Sequence, residues 1–284
     1  MAQLRHNFLR RSYVCAGKNS RHASSLGLSS SPKRLFPATI FYNEGWLLRL
    51  VLDWFSRQSP TGHVLSFAPH ARWFSEALLP SQFFARWRGD PRAEGWTHGD
   101  GVIGHVTIGD SALADTQLAE NATQLIITEA KLFSPLSPSV RKAPYFDQAA
   151  RNVACIAELL HRGRRTPDQF SSLGFLLLAP AEQISLNLFR KEMMPTSIEQ
   201  KVARRASEYD SPDREQKDRW FHERFLPTLH RTNIACISWE QILEDIESTD
   251  RRFAGELGDF YADCLKFNRA EHREVDATEA EAVL

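Results

Sequence analysis

The pattern of apolar and polar residues predicts helices and strands in turn from residue 43 onward. In residues 43–57 the apolar positions recur at helical spacing and Asn43 is a suitable N-cap, so we predict a helix. We predict a second helix from Arg72 to Leu79, ended by Pro80. Residues 97–108 are rich in β-branched side chains between glycines, which indicates a strand.

The later part of the chain continues this alternation. After a polar connection, residues 124–133 form a strongly apolar strand that a cluster of serine and proline ends. Pro144 then introduces a helix with one apolar face at residues 145–161. Residues 180–230 are charged and predicted to be helical. Two further strands and one short helix complete the pattern, at residues 173–179, 234–238 and 239–246.

These elements predict a single α/β domain at residues 43–268, with a core at about 43–180 and a helical extension at about 181–268. The preceding residues 1–42 hold no Asp or Glu and seven Lys or Arg. We predict that they form a basic arm without a fixed fold, although a transit peptide has a similar composition. The acidic residues at 269–284 predict a flexible tail.

The overall composition is that of an ordinary globular protein, with 42% hydrophobic and 25% charged residues. Lys plus Arg and Asp plus Glu both total 35, so any phosphate-binding surface must be local. The four cysteines are scattered and give no zinc or disulfide pattern, which favours a reducing, cytoplasmic setting. No apolar run approaches the roughly 18 to 20 residues that span a bilayer, so we expect no membrane partner.

One charged pair interrupts the apolar strand at residues 124–133. Strand alternation places Glu129 and Lys131 on one face, near the end of the run. Burying either charge alone costs several kcal/mol, so each must be compensated by the other, by a metal ion or by another acid. Glu-x-Lys occurs three times in the chain. The other two occurrences lie in polar surroundings, where a solvated charged face is expected: Glu199/Lys201 and Glu215/Lys217.

A second acid is needed if this pair holds a divalent cation, because Mg²⁺ prefers oxygen ligands and takes one or two carboxylates. Asp100 supplies it if the strands around Asp100 and Glu129 form an antiparallel hairpin. The hairpin midpoint lies near residue 114.5, inside the polar connection, so the two acids would face each other at about 4.5 to 5.5 Å between Cβ atoms. Asp115 would lie at the hairpin tip and is the weaker candidate. Taken alone, Asp100 between Gly99 and Gly101 is explained equally well as a turn residue.

Asp100, the Leu-Ile-Ile-Thr-Glu-Ala-Lys segment ending at Lys131, and Gln148 on the following helix resemble the PD-(D/E)XK, or restriction-endonuclease-like, superfamily over residues 43–179. The resemblance implies an αβββαβ core, in which helices flank a mixed sheet, and a metal-dependent nuclease that uses Mg²⁺ or Mn²⁺ and acts on DNA. It assigns metal binding to Asp100 and Glu129. It also implies that Lys131 positions or activates water and that Gln148 supports the site.

Two positions depart from the superfamily pattern. Gly99 stands where the superfamily has proline, and Asn152 stands where its exonuclease-like branch has tyrosine, which leaves the subtype open. An acid on the first helix sometimes joins such sites, which makes Glu44 a further candidate, although the helix dipole alone also favours an acid there. Gln148 is almost equally compatible with an ordinary polar position at the rim of the core.

Basic residues cluster on and before the helix that follows Glu129. Arg141, Lys142 and Arg151 are candidates for phosphate binding, although a solvated helix end explains such cations as well. We therefore expect a nucleic-acid partner, with DNA implied by the resemblance and a homo-oligomer left open. The alternative is a catalytically inactive nuclease-fold protein that binds nucleic acid or acts as a scaffold and keeps Glu129 and Lys131 as a structural ion pair.

Overall fold

The computed structural model describes residues 38–90, 92–109, 115–136 and 143–281, with side chains as far as residue 268. The chain divides into two units, Met1–Phe41 and Tyr42–Leu284. Of the first unit only residues 38–41 are described, and Ala38–Ile40 form a 3-10 turn. The basic arm predicted at residues 1–42 therefore lies almost wholly outside the described residues.

The second unit alternates strands and helices. Its strands are β1 (Arg72–Leu79), β2 (Thr97–Gly104), β3 (Val106–Ile108), β4 (Thr116–Leu118), β5 (Gln124–Ala130), β6 (Ser172–Ala179) and β7 (Asn233–Ser238). Its α-helices are α1 (Glu44–Gln58), α2 (Gln148–Arg162), α3 (Ala181–Ser185), α4 (Pro195–Ser207), α5 (Asp213–Trp220), α6 (Leu226–Arg231), α7 (Trp239–Glu247) and α8 (Arg251–Glu281). A π-helical turn, Phe221–Phe225, joins α5 to α6.

Five strands form one mixed sheet in the order β1-β2-β5-β6-β7. β1, β2 and β5 are antiparallel neighbours, whereas β6 runs parallel to β5 and β7 runs parallel to β6. β3 and β4 form a separate two-stranded hairpin within the connection from β2 to β5. The predicted α/β class and the mixed sheet flanked by helices are confirmed.

Helices α1 and α2 cover opposite faces of this sheet. Asn43 caps α1 by accepting the Trp46 amide at 3.0 Å. A side chain at Gly101 would meet Leu52 Cδ1 of α1 at 2.8 Å, so glycine permits the close approach of this helix to β2. The next residues of β2 and β5 point the other way and join the main core beneath α2. That core includes Val102, Leu125, Ile127, Ala149, Val153, Ile156, Phe175 and Leu177.

The helix predicted from Arg72 to Leu79 is wrong, because this segment is strand β1. Its last residues, Glu-Ala-Leu-Leu, favour a helix locally, but the segment pairs with β2 from Arg72↔Gly104 to Leu79↔Thr97. Pairing supplies backbone hydrogen bonds and buries Ala77, Leu78 and Leu79. These gains outweigh a helix preference of less than about 1 kcal/mol per residue.

The strand predicted at residues 97–108 divides at Gly104, whose φ is +149°. His105 follows and stabilises the break: its Nε2 donates to Pro69 O at 2.9 Å, and its Nδ1 accepts the Thr123 amide at 3.2 Å. This histidine is therefore held by hydrogen bonds to the backbone rather than directed at a substrate.

Helix α2 begins at Gln148, later than the start that Pro144 predicts. Asp147 is the N-cap and accepts the Ala150 amide at 3.1 Å. A carboxylate cap stabilises the first turn by satisfying an amide that has no helical partner. Gln148 consequently lies at the very start of α2.

The predicted helical extension contributes more than helices. After α3 to α6 the chain returns to the sheet as β7, and α7 and α8 follow. α8 continues to Glu281, past residue 269, where the sequence predicts a flexible tail to begin. No helix within the described ranges is both long enough and apolar enough to cross a membrane.

Candidate active site

The antiparallel ladder of β2 and β5 brings the two predicted acids together. Its pairs run from Gly104↔Leu125 to Gly101↔Thr128. Continued by one residue beyond the last pair, this register places Asp100 opposite Glu129, which is the arrangement that the hairpin midpoint predicts. The two carboxyl groups also share a side-chain hydrogen bond that affects the pKa of each.

Strand β1 is irregular beside this pair, and Asp100 bonds the backbone of β5. In β1, Phe74 and Ala77 both contact the main core, and Glu76 between them adopts a φ of +53°. An even alternation would place Phe74 and Ala77 on opposite faces, so the alternation of β1 is interrupted at Glu76, between the pairs Ser75↔Gly101 and Ala77↔Gly99, without a change of register. The Asp100 carboxylate accepts the Ala130 amide at 2.8 Å, just beyond the last ladder pair.

Glu129 is 1% exposed and is surrounded by hydrogen-bond donors. Lys131 Nζ donates to its Oε1 at 2.8 Å, and Gln148 Nε2 donates to the same oxygen at 2.6 Å. Asn152, one turn further along α2, donates through Nδ2 to Oε2 at 3.3 Å. Together with Asp100, the residues predicted as catalytic therefore form one cluster.

The electrostatics of the cluster follow from two buried acids beside one lysine. The pKa of Glu129 is raised to about 7, chiefly by burial and then by the Asp100 carboxylate, while Lys131 lowers it. Burial also raises the pKa of Asp100, and the Ala130 amide opposes that shift. Burial and the neighbouring Asp100 charge therefore favour the protonated form of Glu129 up to near-neutral pH, because two neighbouring negative charges are not both favoured in a buried site.

This set of ligands fits a divalent cation that prefers oxygen. Asp100 and Glu129 supply two carboxylates, and Mg²⁺ needs one or two from a protein because water and substrate phosphate complete its shell. A cation between them would offset the repulsion that contributes to the raised pKa of Glu129. Among the described residues, no group of three or more His, Cys, Asp or Glu side chains is arranged to hold a metal, so the fit rests on this pair.

The backbone that carries Lys131 is held by two residues that sequence reasoning missed. Trp239 Nε1 donates to Lys131 O at 2.9 Å, and Gln183 Nε2 donates to Leu132 O at 2.6 Å. Both side chains are more than nine-tenths buried, and both follow β6 in the chain. The sequence places Trp239 between a strand and a helix but gives no sign of the distant carbonyl that it contacts.

Known proteins add no assignment to this cluster. In comparisons with protein-family models, curated proteins and solved structures, nothing matches this chain. No role of Asp100, Glu129 or Lys131 is therefore carried over from a relative.

Glu76 is an acid near the cluster that sequence reasoning also missed. It lies opposite Asp100 in the β1–β2 register, and after burial its charge is among the causes that raise the pKa of Asp100. Its carboxylate is 57% exposed and lies 3.5 Å from Arg49 of α1. The helix that was wrongly predicted from Arg72 to Leu79 concealed Glu76, because a residue on such a helix is not expected beside Asp100 of β2.

The two weaker acidic candidates contact other parts of the fold. The pKa of Cys264 in α8 is raised by burial and then by the charge of Glu44, so Glu44 lies close to that helix. Asp115 lies just before β4 and forms a bridge to Leu78 of β1. Its carbonyl accepts the Gly109 amide at 2.7 Å. Asp115 therefore belongs to the β3–β4 hairpin and contacts the edge strand rather than β5.

Of the three residues predicted to bind phosphate, the structure describes one. Arg141 and Lys142 lie outside the described residues. Arg151 is buried: its guanidinium donates to Thr97 Oγ1 at 2.7 Å and lies 3.8 Å from Glu94. Binding to phosphate requires a guanidinium that faces solvent, so the placement of Arg151 does not fit that prediction.

Arg151 belongs instead to a second cluster of buried charge, which we call the helix clamp and define as Glu94, Arg151, Arg205 and Lys217. Glu94 Oε1 lies 3.9 Å from Arg205 Nε, and Ser81 donates to Glu94 Oε2 at 2.9 Å. Lys217 Nζ donates to Gln82 Oε1 at 2.8 Å. The helix clamp thus joins the loop between β1 and β2 to α2, α4 and α5.

The other two Glu-x-Lys lysines are not on the solvated faces predicted from their surroundings. Lys217 is 6% exposed and lies in the helix clamp. Lys201 donates to the α2 cap Asp147 at 2.5 Å. The prediction of a solvated face is therefore wrong for both. Lys131 differs from them because it bonds the glutamate of its own motif.

Proposed function

We propose that this protein is a metal-dependent nuclease that hydrolyses phosphodiester bonds, with DNA as the expected substrate and Mg²⁺ or Mn²⁺ as the cation. The observation that carries the proposal is the juxtaposition of Asp100 and Glu129 with Lys131 at 2.8 Å from Glu129. The element order α1-β1-β2-β5-α2-β6 supports it, because this order corresponds to the αβββαβ core implied by the motif. A restriction-endonuclease-like core is therefore part of the proposal.

In this proposal Asp100 and Glu129 hold the cation from two neighbouring strands. When bound, such a cation polarises the phosphate and lowers the pKa of its bound water. Lys131 presents its ammonium at the same place and orients the attacking water while it offsets developing negative charge. Its side chain is 9% exposed, so its charge acts in a medium of lower dielectric constant than water.

Gln148 and Asn152 act as positioning residues in the proposed site. They donate to different oxygens of Glu129, at 2.6 and 3.3 Å, from successive turns of α2. The carboxylate therefore keeps its orientation when Lys131 turns towards a substrate. The N-terminal end of α2 also presents the positive end of the helix dipole to Glu129.

A cleavage assay tests the proposal. Wild type and Lys131→Ala are incubated with single- and double-stranded DNA and RNA in Mg²⁺, Mn²⁺ or EDTA. We expect wild type to cleave at least one DNA substrate only with a divalent cation, and Lys131→Ala to lose this cleavage while its circular dichroism is unchanged. Lys191→Ala, at an exposed position, serves as the control. Cleavage in EDTA, or equal cleavage by Lys131→Ala and wild type, contradicts the proposal.

A second candidate function is nucleic-acid binding or scaffolding without catalysis. One observation favours it: Glu129 already accepts hydrogen bonds from Lys131, Gln148 and Asn152. A buried carboxylate with this many donors is stable as part of a structural ion pair. A protein of this kind would bind nucleic acid equally in Mg²⁺ and in EDTA and would cleave none of the substrates.

A further inference from the structure

The loop between β1 and β2 presents two exposed tryptophans. We call residues 81–96 the tryptophan loop; Pro91 within it lies outside the described residues. Trp87 is 55% exposed and Trp96 is 56% exposed. Aromatic side chains of this size are costly to leave in water, so two of them on one loop make this loop a candidate binding surface.

The neighbouring Arg86 holds the Trp87 ring in place. The Arg86 guanidinium lies 4.4 Å from the centre of the Trp87 ring, a cation–π contact. Arg86 is itself fixed by Asp90, at 3.0 Å, and by Asp213 of α5. Trp87 is therefore a flat ring supported by an anchored cation, and little conformational entropy is lost when a ligand stacks on it.

Trp96 is fixed in a similar way through its backbone. Buried Arg151 of the helix clamp donates to Trp96 O at 3.4 Å and to Thr97 Oγ1 at 2.7 Å. The Phe84 ring packs against the Trp96 ring in an edge-to-face contact at 5.2 Å between centres. Both tryptophans are thus held by the fold while more than half of each residue faces solvent.

The exposed charge of the tryptophan loop is positive. Its two described acids, Asp90 and Glu94, are 4% and 6% exposed and point into the protein. Arg88 is exposed between the two tryptophans in the chain. The loop therefore presents arginine and aromatic rings to a polyanion and turns its own described carboxylates away, while Asp210 and Asp213 from the following segment pair with Arg92 and Arg86.

The tryptophan loop leads directly into the candidate active site. Trp96 precedes β2, and Asp100 follows it by four residues, or about 13 Å at the rise of an extended strand. Successive stacked nucleotides of one strand rise about 3.4 Å each. A strand stacked on Trp96 therefore reaches the two acids within about four nucleotides.

We propose that the tryptophan loop binds single-stranded nucleic acid, with bases stacked on Trp87 and Trp96 and a phosphate bound by Arg88. Every base has an aromatic face, so binding of this type tolerates many sequences. The inference rests on the proposed nuclease function for its expected ligand, and it assigns to that function a single-stranded segment next to the cleavage site.

The test measures binding separately from cleavage. Fluorescein-labelled oligo-dT is titrated with wild type, Trp87→Ala, Trp96→Ala and Leu188→Ala in EDTA, and anisotropy is recorded. Leu188 is a control with similar exposure, 53%, beside α3, which packs near β7 at the other edge of the sheet. Each tryptophan variant should bind about fivefold or more weakly, whereas Leu188→Ala should bind as wild type does.

A salt titration separates the arginine from the aromatic rings. Arg88→Ala should show a shallower dependence of binding on salt, because one phosphate contact is lost, and the exposed control Arg190→Ala should keep the wild-type slope. The tryptophan variants should keep the wild-type dependence of binding on salt. Oligo-dT should quench less of their protein fluorescence than of the wild-type fluorescence.

Three results overturn the inference. They are no binding of oligo-dT by wild type, equal binding by wild type and both tryptophan variants, and a wild-type dimer in sedimentation that Trp87→Ala dissociates. Metal-dependent cleavage of duplex DNA combined with any of these leaves the proposed nuclease function intact. Binding that depends on both tryptophans without any cleavage supports the inference and contradicts the nuclease function, so the two failures are distinguishable.

Discussion

The candidate active site and the helix clamp are both clusters of buried charge, and they have opposite compositions. The candidate active site places Asp100 and Glu129 beside one ammonium, so acids are in excess. The helix clamp places Glu94 at 3.8 Å from Arg151 and 3.9 Å from Arg205, so bases are in excess. Buried charge alone therefore does not identify a functional site.

The two clusters also differ in how the excess charge is satisfied. In the helix clamp, the cations donate to backbone carbonyls of the tryptophan loop, which need no counter-ion: Gln82, Arg92, Gly95 and Trp96. In the candidate active site, burial raises the pKa of Asp100, and the Ala130 amide and the Lys131 charge offset this shift only in part. The helix clamp holds no excess of acid, although Glu94 Oε1, Arg151 Nε and Arg205 Nε have no hydrogen-bond partner among the described residues. The acid pair, in contrast, gains by receiving a cation.

The largest expected effect concerns stability and falls on the helix clamp. Arg205→Met leaves Glu94 buried beside one partner fewer, and breaking a buried pair costs about 3 to 5 kcal/mol. Urea unfolding should show a loss of this size, with Mn²⁺ affinity unchanged. Arg204→Met, at a side chain that is 64% exposed, should cost less than about 1 kcal/mol. Equal losses in the two variants would remove the distinction between the clusters.

The pH dependence of stability should identify the acid-rich cluster. The pKa of Glu129 is raised from 4.5 to about 7, so its contribution to stability is complete below pH 4.5 and is lost as the pH rises through 7. In EDTA, wild type should lose on the order of 3 kcal/mol from this group between pH 5 and pH 8. The free energy of unfolding of Glu129→Gln, measured in urea, should fall correspondingly less over the same pH range. The same dependence in both proteins contradicts the raised pKa.

Local sequence patterns predict the part of the fold that brings Asp100 and Glu129 together. Apolar runs and a polar connection predict β2 and β5, and the midpoint of their hairpin places Asp100 opposite Glu129, as the register does. β1 is the opposite case. Its local preference is helical, and pairing with β2, a non-local interaction, makes it a strand.

Distant contacts account for what the sequence did not reveal. Trp239 and Lys131 are 108 positions apart, and no periodicity links them. Arg151 was predicted on a surface because a helical pattern does not show that Glu94 and Thr97 meet its guanidinium in the core. The cluster is thus predictable where it follows one hairpin and unpredictable where later segments complete it.

Each cluster contains one buried lysine from a Glu-x-Lys motif, so substitution of these two lysines compares the clusters directly. Lys131→Ala should lower metal-dependent cleavage at least about 100-fold, because it removes the ammonium at the proposed reaction centre. Lys217→Ala should lower the melting temperature but leave the rate per folded molecule near the wild-type value. Rates are measured at saturating substrate after the folded fraction is determined. Similar losses of rate for both lysines would mean that burial, rather than position, explains the effect.

The smallest expected effect concerns the backbone of Lys131. Trp239→Phe keeps an aromatic ring but removes the donor to Lys131 O, so kcat should fall about fivefold, the equivalent of a hydrogen bond of about 1 kcal/mol. KM should be unchanged, and the pH profile of kcat should shift. Trp220→Phe is the matched control, because the buried Trp220 Nε1 has no hydrogen-bond partner among the described residues. An equal fall in both variants would indicate lost packing alone.

Calorimetric titration with Mn²⁺ tests most directly the central claim, that Asp100 and Glu129 together receive a divalent cation. Wild type, Asp100→Asn and the exposed control Glu120→Gln are compared at pH 8, above the raised pKa of Glu129. The account predicts one site in wild type and in Glu120→Gln, and binding at least about tenfold weaker in Asp100→Asn. No uptake of Mn²⁺ by wild type, or equal affinity in wild type and Asp100→Asn, would contradict it.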